Sequence, residues 1–407
     1  MNSLKLLEPL ILPNGKEIKN RFLKSAMSET LANRDHQPTE NHMKLYERWA
    51  EGGSGIVVTG NVMIDRNALG EPGNVVVEDE RDLDLLKKWA EAGSRQGAQL
   101  WMQINHPGKQ SPRSLSKEPV APSAIPLQNY SSQLFSQPRA LTTEEVKGLV
   151  QKYIKTASVA KRAGFKGGQI HGAHGYLVSQ FLSAQHNQRS DQYGGSLENR
   201  MRFLMEIYTG MRKELGPDFS ISVKLNASDF SSGGFSEKES LRVAQTLAGS
   251  GIDLIEISGG NYENPRMFKE TEKDSEDIFF IDYAERLKAS VDVPVVVTGG
   301  FRSVDSMEKA LREGKTSMIG LARPLVLYPD LPSQIIKGKR PQINTPRLTT
   351  GSSYLDGKVG SLMGISYYEH QIARLSEGKE PRITRNGWRP LWHTLKSYGL
   401  TGLLPRR

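Results

Sequence analysis

The 407-residue chain contains no cysteine. Disulfides, thiolate-bound zinc, iron–sulfur clusters and cysteinyl cofactor links are therefore all excluded. Long apolar runs are missing as well. No stretch approaches the ~18 residues a membrane span needs. The apolar patch Leu4–Leu12 is broken by Glu8 and Pro9, with no small-residue cleavage site behind it. The expectation is a cytoplasmic protein without a signal peptide or membrane contact. Internal repeats and low-complexity tracts are also absent. One excess remains, a formal net charge of +9, and residues 331–407 hold 13 Lys and Arg against 4 Asp and Glu, which accounts for all of it. Residues 1–330 are balanced. A basic terminus of this kind reads as a solvated face, so no nucleic-acid partner is expected.

What is present is an alternation. Short β-branched apolar runs are each followed by a segment of helical periodicity, the signature of βα units. The predicted strands are Arg21–Ala26, Gly55–Val62, Gln99–Ile104, Gly168–His171, Ser220–Asn226, Leu254–Ser258, Val295–Thr298 and Ser317–Gly320. Helices are expected near 40–51, 82–96, 143–163, 197–214, 237–249, 276–289, 304–312 and 331–337. Eight evenly spaced units favour a closed (β/α)8 TIM barrel of the α/β class over an open doubly wound sheet. The barrel takes residues 1–340. Residues 341–407 form a basic C-terminal extension, with one helix near 365–377, expected to pack on the barrel or on a partner subunit of a homo-oligomer.

Ahead of the first strand, Asn14-Gly15 sits between apolar pairs, which predicts an N-terminal hairpin able to plug one barrel mouth. Two connections are long, residues 105–141 and 259–275. Both leave the C-terminal ends of strands, the face where barrel enzymes work, and loops of that length are more often active-site covers than filler.

The fourth strand ends in His171-Gly172-Ala173-His174-Gly175-Tyr176, two imidazoles and a phenol within six residues. Core packing, binding of an organic anion and metal ligation are all open to such a cluster. For a metal, however, no nearby Asp or Glu supplies a third ligand. Gly53-Ser54-Gly55 precedes a strand instead of following one, so it is no dinucleotide fingerprint. Gly299-Gly300 and the run Gly320-Leu321-Ala322-Arg323-Pro324 follow strands seven and eight, where barrels commonly bind phosphate through backbone N–H groups.

Taken with residues 187–200, the run His-Gly-Ala-His-Gly-Tyr-Leu…Gln-Phe-Leu-Ser…Asn-x-Arg-x-Asp-x-Tyr-Gly-Gly-Ser-x-x-Asn-Arg resembles the old yellow enzyme family of NAD(P)H:flavin oxidoreductases. The likeness covers about residues 5–335. It is nearest the bacterial ene-reductase branch and the barrel domain of dienoyl-CoA reductases. The resemblance implies tightly held FMN, with NADH or NADPH as visiting reductant and an electrophilic small molecule (enone or enoate, quinone or nitro compound) as acceptor. It also implies roles for single residues. His171 and His174 would anchor the acceptor's oxygen and Tyr176 would supply the proton. Ser25, Ala26, Met27 and Ser28 would lie along the flavin, and Gly60 and Gln103 would contact its pyrimidine edge. Lys224 would sit beside N1 and O2, and Gly299, Gly300, Ala322 and Arg323 would hold the phosphate; no metal is called for.

The chain departs from the family pattern in places. Ala26-Met27-Ser28 stands where thiol-bearing relatives have Pro-Met-Cys, and Lys224 where Arg is usual, which gives up bidentate geometry. Ala322 replaces a common Gly at a contact made through backbone. Neither the C-terminal Rossmann-like domains nor the iron–sulfur cysteines of dienoyl-CoA reductases are seen in the sequence, so electrons are expected to enter directly at FMN. NADH oxidase and flavin-dependent oxidative demethylase are alternatives on the same fold, and a metal-dependent barrel hydrolase is a remoter one. By its residue type alone, a strand lysine such as Lys224 is more often a salt-bridge partner.

Overall fold

The computed structural model describes residues 4–128, 134–264 and 278–392. Among them, eight parallel strands run β1 (Phe22–Lys24), β2 (Ile56–Met63), β3 (Gln99–Asn105), β4 (Gly167–Gly172), β5 (Ser220–Asn226), β6 (Leu254–Ser258), β7 (Val295–Thr298) and β8 (Met318–Leu321). Each pairs with its neighbours in chain order. The pairing of β8 with β1 closes the cylinder. One helix follows each strand: α1 (Glu40–Glu51), α2 (Leu83–Gly93), α3 (Thr143–Arg162), α4 (Leu197–Leu215), α5 (Glu237–Gly249), α6 (Ile281–Lys288), α7 (Val304–Arg312) and α8 (Leu331–Ile336). The (β/α)8 barrel is thus present.

The boundaries follow local chemistry. Capping boxes open α3 at Thr142 and Glu145 and α5 at Ser236 and Glu239, while the Ser196 side chain caps α4. Caps of this kind contribute about 1 kcal/mol each. α2 stops short of the predicted residue 96 because Gln96 takes φ +53° within a 3-10 turn. α6 is shorter than the predicted 276–289, and residues 276–277 of that span lie outside the described ones. Two short helices, Leu177–Leu182 and Arg323–Leu327, had no separate signal. The C-terminal helix, α9 (Ser353–Ser376), starts well before the predicted 365 and packs against α1 and Arg323–Leu327.

Alternation along the strands divides the interior. Ile170, Val223, Leu225, Ile255, Ile257, Val297 and Ile319 face outward into one core shared with the helices. Inside, Leu23, Ile56, Val58, Trp101, Leu254, Val296 and Met318 fill the lower barrel together with Leu10, Leu12 and Ile18 of the hairpin. Leu10–Ile11 pairs antiparallel with Glu17–Ile18, and Asn14 Nδ2 donates to Ser220 Oγ at 3.1 Å, so the hairpin seals the N-terminal mouth. Burying side chains of this size contributes ~1.5–3 kcal/mol each.

Candidate active site

Above that apolar plug the inward-facing residues change character. Ser25, just past β1, shares a hydrogen bond with Thr298 (2.9 Å), and Thr298 donates to Glu256 Oε1 (2.8 Å). Lys224 Nζ lies 3.1 Å from the same oxygen. Gln169 Nε2 donates to Glu256 Oε2 at 2.8 Å, and Gln103 Nε2 donates to Gln169 Oε1 at 2.7 Å. The result is a polar belt joining β3 to β7 and reaching the end of β1. Space is made for it by Gly320, where a Cβ would overlap the Thr298 hydroxyl.

The belt is buried, and its charge is resolved. Burial acts to raise the Glu256 carboxyl, but Lys224, Thr298 and Gln169 outweigh it and hold the group below the usual glutamate range. Lys224 is therefore the salt-bridge partner its residue type suggests. Two strand positions above the belt's Gln103, the Asn105 amide is fully buried, and neither its Oδ1 nor its Nδ2 finds a partner among the described residues.

On the next level His171 is the next-to-last residue of β4. Ala173 N–H donates to His171 Nδ1 at 3.3 Å, which leaves the ring proton on Nε2. His174 stands in a left-handed turn, φ +60°, followed by Gly175 at +77°. Such backbone costs ~1–3 kcal/mol in a non-glycine residue. Here His174 N–H donates to Asn226 Oδ1 (3.1 Å), and Gln110 Nε2 donates to the His174 carbonyl (3.0 Å), which holds the turn. Ser258 Oγ, at the end of β6, lies 2.6 Å from His174 Nε2 and orients the ring. Burial first, then the Lys224 cation, pushes both imidazoles well below the usual histidine range, so both are neutral.

Tyr176 completes the cluster. Its ring meets His171 edge-on, and its hydroxyl lies 3.3 Å from that of Tyr262, whose ring in turn meets Phe135 at 6.3 Å between centroids. Burial, reinforced by Tyr262 and Glu71, raises the Tyr176 phenol well above its usual value. It is a phenol, never a phenolate, at working pH. Among the described residues no group of three His, Asp or Glu is placed to hold a metal ion.

The other predicted residues are distributed around this centre. Ala26 packs on the inner apolar cluster and Met27 on the outer one. Ser28 Oγ donates to Glu71. Gly60 falls in the irregularity of the β2–β3 ladder, and its N–H donates to Glu29 Oε1 (2.7 Å) and to Tyr46 Oη (2.9 Å). Gly299 and Gly300 hold φ of +105° and +93°, and a Cβ at Gly299 would meet nothing nearer than Phe279 at 4.0 Å, so the turn after β7 is open above. Ala322 caps, and Arg323 begins, the short helix after β8. Sequence reasoning placed Gln169 in the segment that leads to His171 but gave it no role of its own, and it missed Asn226, Glu256, Ser258 and Tyr262. One of these carried a signal: Glu256 is a charge inside an apolar run.

Fold and site together define an α/β barrel with a polar, aromatic-walled site at the C-terminal ends of its strands. Residues 5–342 match the model of the NADH:flavin oxidoreductase / NADH oxidase family, and the chain belongs to that family. The NADH-dependent flavin oxidoreductase iccE of Talaromyces variabilis is 36% identical over 369 residues, which cover 84% of this chain and 89% of that protein. A 2-naphthoyl-CoA reductase structure superposes with a TM-score of 0.77 at 30% identity, over 82% of this chain and 52% of that one. The chain therefore spans about half of that protein. The old yellow enzyme homologue of Zymomonas mobilis superposes at 0.71 with 25% identity, covering 83% of this chain and 94% of that protein.

Proposed function

We propose that this enzyme holds FMN at the C-terminal mouth of the barrel, is reduced by NAD(P)H, and reduces an activated alkene, quinone or nitro compound. The observation that carries this reading is the convergence of two neutral imidazoles and one protonated phenol over a buried polar floor. FMN supplies the hydride-carrying chemistry.

The residues fit that group. Lys224 offers a donor and the Gln103 carbonyl an acceptor for the pyrimidine edge, the Asn105 amide has no partner among the described residues, and the open Gly299-Gly300 turn with Ala322 and Arg323 suits a phosphate. Ser25 to Ser28 would lie along the ring. Above it, His171 donates through Nε2 to the acceptor's carbonyl or nitro oxygen, with His174 as second anchor, and draws electron density from the conjugated bond. Tyr176 donates its proton to the α carbon. The aromatic wall of Tyr176, Tyr262 and Phe135 favours flat, conjugated acceptors. The similar 2-naphthoyl-CoA reductase is named for one.

Purified protein reconstituted with FMN should be yellow, bleach with NAD(P)H under anaerobic conditions, and regain colour on addition of an enone. Bleaching that only oxygen reverses would instead indicate an NADH oxidase. Absence of a bound-flavin spectrum would refute the proposal as a whole.

A further inference from the structure

The buried ion pair in the belt has a consequence for the flavin. Two-electron reduction, with NADH leaving as NAD+, transfers a hydride and so places one negative charge on the ring system. A lysine beside that ring would stabilise the charge, and in a site from which water is excluded the effect is large. Lys224, though, is not a lone cation: Glu256 is wholly buried 3.1 Å away, and its carboxylate is gripped on Oε1 by Lys224 and Thr298 and on Oε2 by Gln169. An ion pair presents a dipole where a bare lysine presents a full charge.

We propose that Glu256 is a positioning residue that sets the flavin's reduction potential: by pairing with Lys224 it withholds much of that cation from the ring and makes the reduced flavin a stronger donor. This rests on the proposed FMN site. Glu256 also acts through the amides. A carboxylate only accepts, so Gln169 must turn its NH2 group toward Glu256 and its carbonyl toward Gln103. Gln103 is then committed to donate along the belt, and its own carbonyl oxygen is left to accept from a ring N–H. The charge on one strand thereby fixes which face two neighbouring amides show.

The test is an anaerobic, dye-equilibrated redox titration of FMN-loaded wild-type, E256Q and E256D protein, with fold checked by circular dichroism. E256Q removes the countercharge and should bind reduced over oxidised FMN at least tenfold more selectively, a rise of about 30 mV for a two-electron couple. E256D keeps the charge but draws it back from Lys224, and should move the potential the same way by less. It carries the test if E256Q does not fold. An unchanged or lowered potential in flavin-loaded variants overturns the role of Glu256 and leaves the FMN site standing. Wild-type protein that holds no flavin would refute the FMN site itself. A purely structural Glu256 would lower thermal stability without moving the potential.

Discussion

The rings of His171 and Tyr176 meet edge to face, with centroids 4.8 Å apart and planes at 90°. That contact links the residue proposed to anchor the acceptor to the residue proposed to protonate it, across a turn of four residues. Each ring limits the other's freedom, and the two functions are held in one geometry.

Tyr176→Phe keeps this ring contact and loses only the hydroxyl. Reduction of the flavin by NADH should be unchanged, while its reoxidation by an enone should slow by about 10²–10⁴-fold, the usual worth of a positioned general acid. Stopped-flow measurement of the two half-reactions separates them. Equal slowing of both would show that Tyr176 acts on flavin binding instead.

His171→Ala should weaken a phenolic or nitro ligand by about tenfold, since a neutral hydrogen bond contributes ~0.5–1.5 kcal/mol. Perturbation of the bound-flavin spectrum during ligand titration measures it. Ligand affinity in the wild type should stay level from pH 8 to 6, because neither imidazole gains a proton there.

Asn226 accepts from His174 N–H and donates to the Gly260 carbonyl (2.9 Å) and to Asp229 (3.2 Å). Asn226→Leu takes this partner from the His174 N–H and the Gly260 carbonyl and leaves Asp229 with the Phe235 N–H. It should cost about 2–5 kcal/mol in stability and should weaken ligand binding through His174 even though Asn226 lies below the acceptor. Urea denaturation and the same spectral titration are the checks; a stable variant with normal ligand affinity would show that the left-handed turn holds itself.

Gly60→Ala should destabilise the protein by about 1–3 kcal/mol through overpacking. A Cβ there overlaps the Glu29 carboxylate and the Met27 carbonyl. Glu29 would be driven from Tyr46 and Lys24, and the melting temperature should fall.

Stability should decline on mild acidification. Burial holds His42 at about 3, His106 at about 4 and His186 at about 3, and His171 and His174 lie well below normal as well. In the unfolded chain these groups titrate near 6.5, so between that pH and the folded values the unfolded state binds more protons. The contribution of each histidine is fully present above about 6.5 and is lost by up to ~1.4 kcal/mol per pH unit below it. Denaturation midpoints measured from pH 8 to 5 should fall steeply below 6.5, and His42→Gln should flatten the curve.

Much of this was legible in the residues themselves. β5, β6 and β7 span the very residues that β-branched runs marked out, and α1 and α5 those that helical periodicity marked out, because strand and helix formation are governed by neighbours within a few positions. The cluster His171, His174 and Tyr176 was visible for the same reason, being six residues of one strand end. α9 was recognised only in part. Its N-terminal half carries Gly360 and Gly364, poor helix formers that break the periodic signal there.

What the linear chain could not reveal is who meets whom across the barrel. Lys224 was singled out from its strand, but its partner Glu256 lies 32 positions on. The two face each other only because β5 and β6 pair in the register Lys224↔Glu256 and because both side chains point inward. Ser258 against His174 and Tyr262 against Tyr176 have the same origin. Local chemistry determined the strands, the helices and the residue types that do the work; closure of the barrel decided their register, and through it the charge, tautomer and orientation each one presents to a ligand.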